Sequence, residues 1–272
     1  MIHKIKWHPC TGIAVAALAC APALAAAAVN SSQRVRAFAA LPDWSGFWEW
    51  TTGVTLNRVT GEPAPEVVPQ LIANAQLAGH PPYNPDWDAR YQVRVKAHWV
   101  QRASGRDDPA SKGCSFGFPA QMEALDETFQ FLITPEETVI LFERGEVRHI
   151  YTDGRHHPHG EDLWSTVEGD SIGHWDGQTL VIDTIARTAG PIGFFAPDAL
   201  LSDQAHFTER IRMLDRDMLE DQMTIEDPVA FVRPWRVTIR HDRVKGLDRF
   251  IGYDCSNDRN PIVNGHLTIA PP

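Results

Sequence analysis

The stretch IYTDGRHHPHGED, residues 150–162, packs three histidines, three acids and one arginine into thirteen positions. Such a density of titratable groups admits three kinds of chemistry. Closely spaced imidazoles can chelate Zn, Cu or Ni when carboxylates or carbonyls orient them. Histidine, tyrosine and aspartate can also exchange protons with a substrate, with arginine stabilising developing negative charge. The third reading is a solvated turn between two strands, the usual fate of a His-rich loop.

The spacing separates these readings. HPHGE at 157–161 resembles the H-x-H-with-Glu pattern of cupins, but Glu161 comes too early and the glycine placement before the histidines is wrong. A second histidine in a strand setting, needed to complete such a site, has no obvious candidate, so His156, His157 and His159 are assigned no metal and no cofactor is required. Acid/base work fits better. Tyr151, Asp153, Arg155 and His157 cluster at one strand end, and Asp183 lies in the nearby strand TLVIDTIA. Both faces of that strand are largely apolar, so Asp183 is expected in the barrel interior, needing a partner or a raised pKa. Glu209, between Phe207 and Ile211, reads the same way. The simplest partner for either carboxylate is an arginine such as Arg148 or Arg236.

A competing motif lies between them. GDSIG (169–173) matches G-x-S-x-G, and DQAH (203–206) matches the D-x-x-H of GDS-type esterases, nominating Ser171 with Asp203 and His206. A nucleophile elbow needs a strand-to-helix turn on a parallel sheet. Here another β-strand follows, and only about thirty residues separate the two motifs. A glycine-bearing hairpin is the simpler assignment, and serine hydrolysis the weaker one.

The elements that must position these groups are mostly strands. ETFQFLI, TVILFERG, EVRHIYT, QTLVIDTI, AHFTERIRML, MLEDQMTIED, WRVTIRHD and RFIGYDC alternate with period two and are joined by short turns such as Thr134–Glu137 and Asp176-Gly177. Strand–helix–strand alternation is missing, so the fold class is mainly β: an antiparallel meander closing into a barrel or curled sheet. One helix stands out before it. Asn84 can cap it, Pro85 suits its first position, and Trp87, Tyr91, Val95 and Trp99 repeat along one face until Gly105. A shorter helix is expected near Val67–Leu77. Residues 43–272 thus form one barrel-like domain with a helical insert at about 62–112.

Ahead of this domain, Lys4 and Lys6, the apolar run Gly12–Ala19 and Ala23-Leu24-Ala25 make a secretory signal peptide over residues 1–25. Lipoprotein processing at Cys20 is the alternative, although Ala17 stands where a lipobox carries leucine. Cleavage leaves 247 residues, and removal of Lys4 and Lys6 leaves 23 basic against 35 acidic side chains. The resulting net charge of −12 disfavours nucleic acid and anionic lipid as partners. No other apolar run reaches about 18 residues, so no membrane insertion is expected and the destination is the periplasm. Residues 26–42 read as a disordered leader. Cys114 and Cys255 remain after export and would form one disulfide, contributing roughly 4–5 kcal/mol.

Two resemblances follow. DWSGFWEW (43–50) carries Gly46 and Trp48 in the G-x-W spacing that opens lipocalin and calycin barrels. In that family the tryptophan plugs one barrel end under a late-strand arginine, here Arg240 or Arg243. Separately, VRHIYTDGRHHP (147–158), GDSIGHWDGQTLVIDT (169–184), MTIEDPVAFVRPWRV (223–237) and PPYNPDWDARY (81–91) resemble a set of exported proteins from sphingomonads and acidobacteria. That set is associated with γ-formaldehyde lyases of lignin-derived aromatic dimers. The resemblance implies a cofactor-free lyase in which a base takes the γ-hydroxyl proton and an acid protonates the departing benzylic oxygen. His157 would be the base, Tyr151 or Asp153 the acid, Arg155 the phenolate partner, and Asp183 would orient one of them. The expected partner is a small aromatic molecule, with a homodimer as a possible assembly. The alternative of a different class is a periplasmic binding protein for a hydrophobic or aromatic ligand.

Overall fold

A computed structural model describes residues 31–51, 80–103, 117–123, 128–192, 199–250, 262–263 and 266–267. The expected signal peptide, the expected short helix near Val67–Leu77, Gly105, Cys114 and Cys255 lie outside the described residues. In chain order the elements are α1 (Ser31–Ala39), β1 (Trp48–Trp50), α2 (Pro85–Ala103), β2 (Thr128–Ile133), β3 (Glu137–Phe142), β4 (Val147–Tyr151), β5 (Asp170–Asp176) and β6 (Thr179–Ile185). After these come β7 (Gly190–Pro191), β8 (Leu200–Leu201), β9 (His206–Asp215), β10 (Met218–Glu226), β11 (Trp235–Arg243), β12 (Ile262–Val263) and β13 (His266–Leu267).

Nine strands close into a barrel in the order β1-β11-β10-β9-β6-β5-β4-β3-β2. The fold is therefore mainly β and calycin-like. It departs from a pure antiparallel meander at one place, because β4 and β5 run parallel, registered only at Ile150–Ser171 and Tyr151–Ile172. Parallel neighbours cannot be joined by a tight hairpin. The connection 152–169 must therefore travel outside the sheet, and it carries the histidines.

Alternation sends Phe129, Phe131, Ile140, Phe142, Leu180, Ile182, Ile211 and Leu219 into one buried cluster with Trp44 and Trp48. A second cluster around Phe118, Phe207, Met223, Ile225, Trp235 and Val237 fills the remaining interior and the adjoining end. There α2 lays Trp87 and Tyr91 against Tyr83 and Phe231. Asn84 caps that helix as its sequence suggests, its Oδ1 accepting from the Trp87 amide at 3.1 Å. The leader differs from expectation. Residues Ser31–Ala39 form a helix, held to the β2–β3 turn by a bidentate Arg34–Glu136 pair at 2.6 and 3.2 Å.

Barrel closure depends on β1, only three residues long, pairing Trp48 with both Arg243 of β11 and Phe129 of β2. Trp48 is fully buried, and the Arg243 guanidinium lies 4.2 Å from its ring centroid. Arg243 also donates to the Ser45 carbonyl and, at 2.9 Å, to that of Arg216. Of the two candidate arginines, Arg243 covers the tryptophan, while Arg240 pairs with Glu220 on the outer surface. Gly46 is required twice: its φ is +99°, and a Cβ there would come within 2.8 Å of the Arg243 guanidinium. Trp48→Ala is expected to destabilise the protein by about 3–5 kcal/mol. Arg243→Ala should cost about 1–3 kcal/mol from the lost cation–π contact and hydrogen bonds. Both are measured by denaturant unfolding.

Candidate active site

The crossover 152–169 is tied down along its length. Thr152 donates its amide to the Glu136 carbonyl at 2.8 Å, and Thr166 donates to Ala186 at 3.1 Å. Between these ties His157 reaches the outer wall of the barrel. Its Nδ1 lies 2.5 Å from Asp170 Oδ1 on β5, and its Nε2 lies 2.9 Å from Asp183 Oδ1 on β6. The other oxygen of Asp183 takes His206 of β9, with Nε2 at 2.8 Å. His206 Nδ1 then faces Glu226 of β10 at 3.7 Å, beyond hydrogen-bonding range. Carboxylates and imidazoles thus alternate along one chain, Asp170–His157–Asp183–His206–Glu226.

Hydrogen-bond inventory constrains this chain. An ionised carboxylate only accepts, so a histidine between two of them satisfies both when each ring nitrogen carries a proton. Equivalently, one of the carboxyl groups retains the proton. Protons are therefore held in a short, strong network across three strands and a loop, an arrangement suited to acid/base exchange.

The structure brings together two of the five residues singled out for catalysis, His157 and Asp183, and separates the other three. Asp183 is not in the interior. Burial along β6 alternates so that Leu180, Ile182 and Thr184 point inward, and Asp183 points outward with its side chain 42% exposed. Its outer neighbours Val181 and Ile185 are apolar but only half-buried. Tyr151, Asp153 and Arg155 form their own group. Arg155 chelates Asp153, with contacts of 2.7–3.1 Å, and lies 3.9 Å from the Tyr151 ring centroid. The Arg155 guanidinium holds the Asp153 carboxyl below its ordinary range, which makes Asp153 a poor proton donor at neutral pH. Register places this group beside the histidine chain. Tyr151 is opposite Ile172, and Ile172 opposite Asp183, a separation of two strand spacings or about 10 Å.

The remaining candidates fall elsewhere. His156 and His159 are exposed. Among the described residues, no group of three or more His, Cys, Asp or Glu side chains could hold a metal ion. Ser171 is buried inside the barrel, 2.8 Å from the Thr184 hydroxyl and 3.3 Å from Arg148. His206 is on the outer wall, so the G-x-S-x-G serine and the D-x-x-H histidine do not meet. The motif's glycines answer to packing: Gly169 turns with φ +71°, and a Cβ on Gly173 would lie 2.8 Å from the Val181 carbonyl. His206 was nominated only through that serine motif. Its place in the histidine chain depends on strand order, which one sequence does not display.

Inside the barrel sits a second polar cluster. Arg148 bonds Glu209 bidentately at 3.0 and 2.5 Å, reaches Thr184 at 3.1 Å, and lies 3.7 Å from the Phe118 ring centroid. Glu209 is thus paired with an arginine, as expected of it. Burial, reinforced by the charge of Glu209, raises the Asp221 carboxyl well above its usual range, so it keeps its proton. Burial pushes the His241 imidazole down to about 3, leaving it neutral.

Comparison of the chain with protein-family models, with curated proteins and with solved structures found no match. Fold and site by themselves define a closed calycin-like barrel with a carboxylate–imidazole chain on its outer wall.

The two buried groups Asp221 and His241 generate opposed pH dependences. His241 has a depressed folded pKa, so its contribution is present above about 6.5 and is lost as pH falls toward about 3. Asp221 has a raised folded pKa, so its contribution is complete below 3.8 and is lost as pH rises through the folded value. His241→Leu should flatten the acid side of the stability profile. Asp221→Asn should flatten the side toward higher pH. Thermal unfolding of both variants and the parent between pH 4 and 8 checks this, and parallel profiles would contradict it.

Proposed function

We propose that this protein is a cofactor-free lyase that removes a hydroxymethyl group as formaldehyde from a phenolic aromatic dimer. The observation that carries the acid/base reading is the Asp183 carboxylate bridging His157 and His206 at 2.9 and 2.8 Å on the barrel's outer wall. Such a unit can take a hydroxyl proton and return one to a departing oxygen, the two proton movements this fragmentation needs. The aromatic substrate class rests on the resemblance carried by YTDGRHHP and GDSIGHWDGQTLVIDT. Two features support it. Tyr151, two strand spacings or about 10 Å from Asp183 by register, carries the Arg155 guanidinium 3.9 Å from its ring centroid. Trp164, on the same crossover as His157, is 76% exposed while its Nε1 is fixed to the Glu161 carbonyl at 2.8 Å. A held, open indole is suited to stacking against a substrate ring.

A ligand enclosed by the barrel has less support. The inward side chains at its centre, including Arg148, Glu209 and Asp221, are buried against one another.

The test is formaldehyde release from a β-5 or β-1 linked dimer with no metal added. Activity is expected from the unsubstituted protein, and Asp183→Asn should lower kcat by about 10²–10⁴-fold with the fold intact by circular dichroism. Absence of formaldehyde from every such dimer, alongside binding of an aromatic ligand, would establish the binding-protein alternative instead. Within an active enzyme, Trp164→Ala should raise KM by roughly three- to tenfold with kcat little changed.

A further inference from the structure

We infer that His206 is the catalytic residue that exchanges a proton with the substrate, and that His157 is a positioning residue acting through Asp183. This assignment rests on the lyase reading for its reaction and on the geometry for its choice of histidine. Both ring nitrogens of His157 are occupied, by Asp170 at 2.5 Å and Asp183 at 2.9 Å, and its side chain is only 16% exposed. It has no nitrogen to offer a substrate without breaking the tie that holds the crossover. His206 differs in both respects. Only Nε2 is hydrogen-bonded, its side chain is 37% exposed, and it stands on a strand rather than a loop.

The bond to Asp183 also selects the tautomer. A carboxylate oxygen accepts, so Nε2 carries the hydrogen and Nδ1 keeps its lone pair. That lone pair faces the side where Glu226 stands 3.7 Å away. Glu226 is the register partner of His206, so the two share one face of the sheet. When Nδ1 takes up a proton, the resulting imidazolium has Asp183 on one nitrogen and Glu226 near the other. His157, bonded to the opposite oxygen of Asp183, fixes the plane of the carboxylate and so the direction of the His206 ring. The groups facing His206 are therefore Asp183 from β6, Glu226 from β10, and His157 one bond further out.

The step balances without an oxidant or reductant. The γ-hydroxyl gives its proton to Nδ1, and the O–H electron pair becomes the second bond of formaldehyde's carbonyl as the Cβ–Cγ bond breaks. Those C–C electrons form a Cα=Cβ double bond while the benzylic Cα–O bond breaks. The departing oxygen takes the proton back from His206, which returns to its starting state.

The experiment pairs kinetics with chemical labelling of the full chain. Diethyl pyrocarbonate, followed by peptide mass spectrometry, should modify His206 well before His157. His206→Gln should abolish formaldehyde release, a loss of about 10²–10⁴-fold. His157→Gln should retain measurable turnover, with KM little changed, kcat lowered and the pH–rate profile displaced. Faster labelling of His157 than of His206 overturns the assignment, whether or not any dimer is turned over. So does a His206→Gln protein within tenfold of the parent while His157→Gln is inactive. No formaldehyde from the unsubstituted protein overturns the lyase reading and this step with it, leaving the labelling order to judge which imidazole is open.

Discussion

The pair formed by Arg148 and Glu209 is sealed in the barrel, with side chains 1% and 0% exposed. Desolvating two charges is unfavourable, and their attraction offsets it only if the remaining hydrogen-bonding capacity is satisfied. Here the guanidinium is met by Glu209 of β9, Ser171 of β5 and Thr184 of β6, while Arg148 itself extends from β4. Four adjacent strands of the barrel are thus held by one side chain. Pairing is thin in this region, because β4 and β5, like β1 and β2, share only two registered residue pairs. Removing the arginine would leave Glu209 buried without a compensating cation, a change of about 3–5 kcal/mol in comparable buried pairs.

Those four strands also carry the outer-wall site. Side chains alternate across a strand, so each inward anchor has an outward neighbour. Ser171 points in and Asp170 out; Thr184 points in and Asp183 out; Phe207 points in and His206 out. Tyr151 follows Ile150 in the same way on β4. The interior network therefore fixes twist and register where distances of 2.5–2.9 Å between carboxylates and imidazoles must be kept. Placing the acid/base chain on strands rather than loops leaves only His157 dependent on the crossover, and that residue is clamped at both ring nitrogens.

Period-two alternation made β2, β3, β4, β6, β9, β10 and β11 legible, and the G-x-W spacing anticipated the Trp48–Arg243 closure. The fifth strand was hidden by its own composition. DSIGHWD contains a glycine and several polar residues, so it reads as a turn until Ile150 and Leu180 are seen packing over Gly173. The face of Asp183 was ambiguous for a physical reason. Val181 and Ile185 are as apolar as Leu180 and Ile182, although they lie on the half-buried outer face. Strand order decides the rest. That His157, Asp183 and His206 converge follows from β6 lying between β5 and β9, and from β4 running parallel to β5. Neither fact leaves a local signature in the chain.

A barrel whose centre is occupied by its own ion pair, a protonated carboxyl and a neutral imidazole has little reason to be read as a container. The interior charges contribute order, and burial keeps Asp221 and His241 in the uncharged forms that such a core tolerates. The outer wall has the opposite character. Asp183, His206 and Glu226 are all partly exposed, with side chains 37–55% open to solvent, so protons can enter and leave there. Chemistry that needs a proton to move belongs on that surface, while the interior holds the geometry on which it depends.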